Sequence, residues 1–109
     1  MSISSFKVSI TPQKAYDLLK NHENADLVYE EFTRLENGLS TGTLIYEKYY
    51  MRTSNRAALV IMIDDFKGNT EVRAVATGSS QGMFFNFDWG AADSFASSVE
   101  RILENYIVK

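Results

Sequence analysis

A run of seven residues, 57–63, is apolar at every position. The run is short for a buried helix, it is rich in Ile and Val, and turn-forming residues bound it on both sides, so the pattern favours a strand. A strand that is apolar on both faces is typical of the centre of a sheet, where both faces are covered. The run therefore predicts a central strand around which the other elements are arranged.

Four further segments are predicted to be strands, because their apolar residues alternate or because turn signals bound them. They are residues 5–10, 27–35, 43–52 and 71–77. In the second of these, the expected alternation puts Leu27, Tyr29 and Leu35 on one face and Val28 and Phe32 on the other. The turn formers Asn37-Gly38 and Gly68-Asn69 predict tight connections between consecutive strands.

Two amphipathic helices are predicted on either side of the run of strands. The first has Thr11 as its N-cap and Pro12 at its first position, where the missing N–H costs nothing, and it should end near Asn21. The second is capped by Asp88 or a residue just after it and has apolar residues at three- and four-residue spacing up to Tyr106. The order β-α-β-β-β-β-α predicts a single α+β domain over residues 1–109. Its sheet would be five-stranded, curved and mainly antiparallel, with both helices packed on one face.

Two helices on one face leave the second face of such a sheet without cover. The strand at residues 43–52 is aromatic on both sides, with Tyr46 and Tyr50 on one and Tyr49 on the other, and the central run is apolar on both. Three arrangements would bury this second face: a sheet curved around its own helix, a second protomer packed sheet to sheet, or an apolar ligand in the concavity. The sequence leaves all three open.

The segment between the last strand and the last helix, bounded by Gly78 and Gly90, is a candidate binding or interface site. It places four aromatic residues within six positions, 84–89, and these cannot all point inward. They either plug the end of the core or contact a ligand or partner. Tyr and Arg side chains on the neighbouring strand would supply the polar rim that an apolar pocket needs. The predicted ligand or interface residues are Tyr46, Tyr50, Arg52, Gln81, Phe84, Phe85, Phe87 and Trp89.

The composition argues against several classes of function. With no Cys and with His22 as the only imidazole, neither a disulfide nor a Cys- or His-based metal site is expected within one protomer. The net charge is −3 and the 11 Lys and Arg residues are scattered, which argues against a nucleic-acid surface. No apolar run reaches the ~18 residues that cross a bilayer, and no signal-peptide core is present, so we expect a cytoplasmic protein. Phosphate-loop and nucleophile motifs are also missing, so no catalytic residue and no cofactor is predicted.

Two segments carry a resemblance to a known group of proteins. They are Gly42-Thr-Leu-Ile-Tyr-Glu-Lys-Tyr-Tyr-Met-Arg-Thr-Ser-Asn-Arg-Ala and Gln81-Gly-Met-Phe-Phe-Asn-Phe-Asp-Trp-Gly-Ala. Both are similar to a family of small bacterial proteins of unassigned function, and the resemblance extends over nearly the whole chain. It implies neither an activity nor a site. The element order alone also resembles the helix-grip proteins, which bind hydrophobic molecules, but function does not follow from fold.

These observations predict a small non-enzymatic module that either forms a homodimer or binds a small apolar ligand. The second sheet face and the join between Gly78 and Gly90 are the surfaces expected to do so. A scaffold for another protein is an alternative role. An enzyme is the remaining one, and it would have to depend on carboxylate, Tyr and Arg side chains.

Overall fold

The computed structural model describes residues 2–50, 55–78 and 89–108, and it confirms the predicted α+β fold and element order. The elements are β1 Ser2–Val8, α1 Pro12–His22, β2 Asp26–Arg34, β3 Ser40–Tyr50, β4 Asn55–Asp64, β5 Thr70–Gly78 and α2 Trp89–Ile102, followed by a short 3-10 helix, Glu104–Tyr106. The predicted N-cap of α1 is confirmed, because the Thr11 hydroxyl accepts a hydrogen bond from the Lys14 N–H at 3.2 Å.

All five strands form one antiparallel sheet in the order β1-β5-β4-β3-β2. The apolar run lies in β4, which is the middle strand, as predicted. Strands β2 to β5 follow one another as a meander. Gly38 lies in the β2–β3 turn and Gly68 in the β4–β5 turn, with φ of 88° and 92°, a backbone conformation that favours glycine. Helix α1 carries the chain from β1 at one edge of the sheet to β2 at the opposite edge.

The core lies between the two helices and one face of the sheet. Helix α1 packs on β3 and β4, and α2 packs mainly on β1 and β5. The buried apolar residues are Val8, Ala15, Tyr16, Leu19, Leu44, Tyr46, Ala57, Leu59, Ile61, Ile63, Val72, Ala74, Ala76, Phe95, Ala96, Val99 and Leu103. Every strand residue in this set points to the helix side. The expectation that β4 is buried on both faces is therefore half right: Val60 and Met62, on its other face, are only partly buried.

A β-bulge at Val28 corrects the predicted facing of β2. Leu27 pairs with Tyr46, whereas Tyr29 pairs with Ile45, so Val28 is an extra residue between the two pairs. The bulge reverses the alternation, and Leu27 packs against the core while Tyr29 lies on the opposite face. The prediction that Leu27 and Tyr29 share a face was wrong for this reason, because alternation alone assumes a strand without insertions.

The end of the chain is tied to its beginning. Helix α2 ends at Ile102, before the predicted end of the apolar pattern at Tyr106, and the 3-10 helix follows. Ile107 then forms an isolated antiparallel bridge with Val8. Two backbone hydrogen bonds flank this bridge, from Ser9 N–H to the Tyr106 carbonyl and from Val108 N–H to the Lys7 carbonyl, at 2.8 and 2.9 Å.

Candidate functional site

The face of the sheet opposite the helices, called the open face below, carries an apolar row that crosses all five strands. The strand register joins Ile3 to Val75, Val75 to Val60, Val60 to Ile45, and Ile45 to Tyr29. We call these five residues the open-face row. Ile3 and Tyr29, at its two ends, are 64% and 49% exposed, and the three central residues are half-buried by their neighbours. The row is therefore a continuous stripe of apolar side chains, unlike the singly exposed apolar residues common on protein surfaces.

The register also places apolar residues on either side of this row. Met62 in β4 pairs with Arg73 and Thr43, and Ala58 in β4 pairs with Thr77 and Glu47. Because residues two apart on a strand share a face, both belong to the open face. On the open face, β4 thus presents three successive apolar residues, Ala58, Val60 and Met62, and outside the row their partners in β3 and β5 are polar or charged.

Ion pairs on the open face lie around this apolar centre. The Arg73 guanidinium contacts Asp64 Oδ2 at 2.7 Å and Glu71 Oε1 at 3.7 Å. Asp64 is only 6% exposed, and its carboxylate also accepts the Phe66 N–H at 3.2 Å. The buried charge is therefore paired, and it also holds the start of the β4–β5 turn.

The two edge strands present opposite charges on the open face. On β1 the charged residue is Lys7, which shares a face with Ile3. On β2 the residues are acidic: Asp26 before the bulge, and Glu31, which accepts a hydrogen bond from the Tyr29 hydroxyl at 3.3 Å. On the open face, β1 therefore contributes one basic residue, which pairs in register with Glu71, and β2 contributes acidic residues.

A second feature lies on the helix side, where the end of α1, the side of α2 and the strand β3 enclose a cleft of about 400 Å³. Its walls carry both signs of charge, from Glu23, Lys48 and Arg101, and they include Phe95 and Ile102 as apolar residues. We call it the polar cleft.

Glu23 is the half-buried charged group of the polar cleft. Its carboxylate accepts a hydrogen bond from the Ser98 hydroxyl at 2.8 Å. Burial raises the pKa of Glu23 above its ordinary value, and the Ser98 hydrogen bond, the Asn24 N–H and the charges of Lys48 and Arg101 oppose that rise. The loss of hydration therefore outweighs the stabilising contacts around this carboxylate.

The residues predicted from sequence to bind a ligand or partner are spread over different parts of the chain. Tyr46 is 1% exposed in the core, where its hydroxyl donates to the Leu19 carbonyl at 3.2 Å. Tyr50 is the last residue of β3 and Trp89 is the first residue of α2. Arg52, Gln81, Phe84, Phe85 and Phe87 lie outside the described residues, as does most of the join between Gly78 and Gly90. A binding role for this set stays a prediction.

Sequence reasoning predicted that the second sheet face would lack cover, but it did not identify the residues of the open-face row, and it missed the polar cleft. The row was hidden because strand register, which no single strand reveals, brings Ile3 and Val75 into line with Val60. The cleft left one local signal in the sequence. Ser94, Ser98 and Arg101 recur at four- and three-residue spacing, so they form a polar stripe beside the apolar stripe of α2.

In residues 2–50, 55–78 and 89–108, we find no group of three or more His, Cys, Asp or Glu side chains arranged to hold a metal ion. Over those same ranges, the helices are too short or too polar to cross a bilayer.

Comparison with known proteins places the chain in a family without supplying an activity. A family model described as a family of unknown function (DUF6054) matches residues 1–107, so the chain belongs to that family. Searches of curated proteins and of solved structures returned no match.

Proposed function

We propose that this member of a family of unknown function is a non-enzymatic, cytoplasmic homodimerisation module, in which two copies pack open face against open face. The observation that carries the proposal is the open-face row, which crosses the whole sheet while both described helices lie on the other side. An exposed apolar stripe of this extent is more often part of an interaction site than of a surface that contacts only solvent.

The open face has the dimensions that a dimer interface requires. Five strands about 4.8 Å apart, each about seven residues long at about 3.3 Å per residue, give a projected area on the order of 550 Å². A typical stable interface buries about 800 Å² of accessible surface on each partner. Side chains make the accessible surface of a pleated face larger than its projection, so the open face comes into this range.

The charges of the edge strands favour a second copy of this chain as the occupant. Two identical faces that meet must be related by a two-fold axis lying in the interface plane. With the axis parallel to β4, β1 of each copy lies over β2 of the other, so Ile3 packs on the partner's Tyr29. Lys7 then lies level with the partner's Thr33, one outward-facing position along the strand from the partner's Glu31. With the axis perpendicular to the strands, β1 would lie over β1. Both arrangements keep the row on the row, but only the first sets β1, with Lys7, over β2, with its acidic side chains.

The apolar-ligand alternative is less well supported. A ligand of that kind needs a concave site that buries most of its surface. The open-face row instead ends in two strongly exposed side chains, Ile3 and Tyr29, at opposite edges of the sheet.

The first experiment is sedimentation equilibrium of the full chain over a range of concentrations. We expect a mass near twice 12.3 kDa. Val60 lies at the centre of the row, so Val60→Lys places two like charges at the axis and should give a monomer with an unchanged circular dichroism spectrum. Asn69→Lys, in the exposed β4–β5 turn, adds the same charge elsewhere and should leave the dimer intact.

A charge exchange tests the orientation of the two copies. Lys7→Glu should weaken the dimer, because it brings an acidic side chain near the acidic β2 of the other copy. Adding Glu31→Lys should restore the dimer, because one acidic and one basic side chain then meet again at each of the two β1–β2 contacts. A wild-type protein that stays monomeric at every concentration would overturn the proposal. A monomer that carries an added mass in native mass spectrometry would favour the ligand alternative. Failure of the double variant to restore the dimer would refute the arrangement parallel to β4.

A further inference from the structure

The polar cleft lies on the helix side of the sheet, away from the open face, and it is independent of the proposed dimer. It is assembled from three elements that are distant in sequence: the end of α1 supplies Glu23, β3 supplies Lys48, and α2 supplies Ser98 and Arg101. With a volume of about 400 Å³, it is in the ~300–1,000 Å³ range of sites that hold small molecules.

We propose that the polar cleft binds a small zwitterion of the amino-acid type. The ammonium group of the ligand would contact the Glu23 carboxylate, and its carboxylate would contact Arg101, with Lys48 adding positive potential.

The position of Glu23 favours a cationic group beside it. Glu23 is the C-cap residue of α1, and its own N–H is bonded to the Leu19 carbonyl at 2.9 Å. The C-terminal end of a helix carries partial negative charge, which stabilises a cation within the last turn. The carboxylate is also half-buried, so it is only partly hydrated. A ligand ammonium would replace part of the lost hydration.

The charges of the polar cleft select against ligands that carry one sign alone. Glu23 repels a simple anion such as a phosphate or a dicarboxylate, since the carboxylate is half-buried and the repulsion is weakly screened. Lys48 and Arg101, which act electrostatically on Glu23, repel a simple cation in the same way. A ligand with both charges a few ångströms apart matches both walls. Ile102 and Phe95 leave room beside them for an apolar side chain.

The test uses the full chain and four probes, measured by isothermal titration calorimetry and by amide chemical shifts. The zwitterions are glycine and L-leucine, and the single-charge probes are acetate and methylammonium. We expect at least one zwitterion to bind about tenfold or more tightly than either single-charge probe, since an added charged hydrogen bond contributes a factor of this order. The amides of His22 and Ser98 should shift, while that of Val60 on the open face should not.

Variants separate the site from nonspecific binding. Glu23→Gln and Arg101→Gln should each weaken binding of the zwitterion about tenfold or more. Glu100→Gln, on an exposed position of the same helix, should leave it unchanged. The monomeric Val60→Lys variant should bind as well as wild type, so this proposal and the dimer can fail separately. The proposal would be overturned if neither zwitterion bound at tens of millimolar, or if acetate bound as tightly as the zwitterions. It would also be overturned if Glu100→Gln weakened binding as much as Glu23→Gln.

Discussion

The ring of Tyr16 packs edge-on against the ring of Phe32, with ring centroids 5.1 Å apart and ring planes at 61°. This pair joins α1 to β2 directly above Gly42 in β3. A Cβ atom at Gly42 would lie 2.9 Å from Cδ1 of Tyr16 and 2.9 Å from Cδ1 of Phe32. The absence of a side chain at Gly42 therefore leaves the space that the two rings occupy where α1 meets β2.

The first prediction is that Gly42→Ala destabilises the protein by about 1–3 kcal/mol, because an added methyl forces both rings to shift in a packed region. In an open strand the same change would be expected to stabilise slightly, by reducing the freedom of the unfolded chain. Urea unfolding measures the difference. Thr43→Ala, on the open face next to it, is the control and should change stability less. An unaltered or raised urea midpoint in Gly42→Ala would show that the rings do not limit this site.

The second prediction concerns Tyr46, whose burial raises its pKa to about 12. The unfolded chain releases this proton near its ordinary value of about 10, so the native state binds more protons between these two values. Stability should therefore fall as pH rises from about 10 to about 12. Tyr46→Phe should lose that part of the fall, whereas Tyr49→Phe, at an exposed tyrosine, should keep it. Unfolding curves across alkaline pH measure both, and parallel curves for wild type and Tyr46→Phe would contradict the prediction.

At neutral pH the same Tyr46→Phe variant should lose only a little stability. The Leu19 carbonyl that accepts the Tyr46 hydroxyl also accepts the Glu23 N–H at 2.9 Å, so it keeps one partner. We expect a cost of about 0.5–1.5 kcal/mol, the usual contribution of one neutral hydrogen bond.

The third prediction is that the coupling free energy of the Asp64–Arg73 pair exceeds that of the exposed Lys20–Glu30 pair, although the atoms of the latter are slightly closer. Removing either partner should cost about 1–3 kcal/mol, since the Asp64 carboxylate is almost fully buried and holds the Phe66 N–H. The comparison pair, Lys20 and Glu30, lies at 2.6 Å but is exposed on both sides. Double-mutant cycles at low and high salt measure both couplings. The Lys20–Glu30 coupling should be the smaller one and should weaken more in salt. Equal couplings would contradict the expected effect of burial.

The fourth prediction concerns the start of α1. Thr11→Ala should cost about 1 kcal/mol, because it leaves the Lys14 N–H without the hydroxyl that now accepts it. Thr11→Ser keeps a hydroxyl at the same position and should restore most of the loss. Thermal unfolding of the two variants provides the measurement, and equal melting temperatures would show that the cap contributes nothing.

Sequence patterns predicted the elements well, because the patterns that mark them are local. Thr11-Pro12 marks a helix start, Asn37-Gly38 marks a turn, and the apolar run marks a central strand, and each depends on neighbouring residues only. Which strands pair, and in what register, depends on contacts between distant segments. The pairing of β1 with β5 and the bulge at Val28 were therefore outside the reach of periodicity. The polar cleft was missed for the same reason, since Glu23 and Ser98 meet only in the folded chain.

The place of β1 in the sheet has a consequence for the order of events during synthesis. β1 leaves the ribosome before β2, β3 and β4, whereas its partner β5 follows them, and Ile107, which pairs with Val8, comes later still. At about 5–20 residues per second, the nascent chain carries β1 unpaired for several seconds. A strand with free backbone groups and an exposed Ile3 is a target for wrong pairing during this interval. The meander β2–β5 can form first, and the docking of β1 is then a long-range step, the kind of pairing that is slow to form.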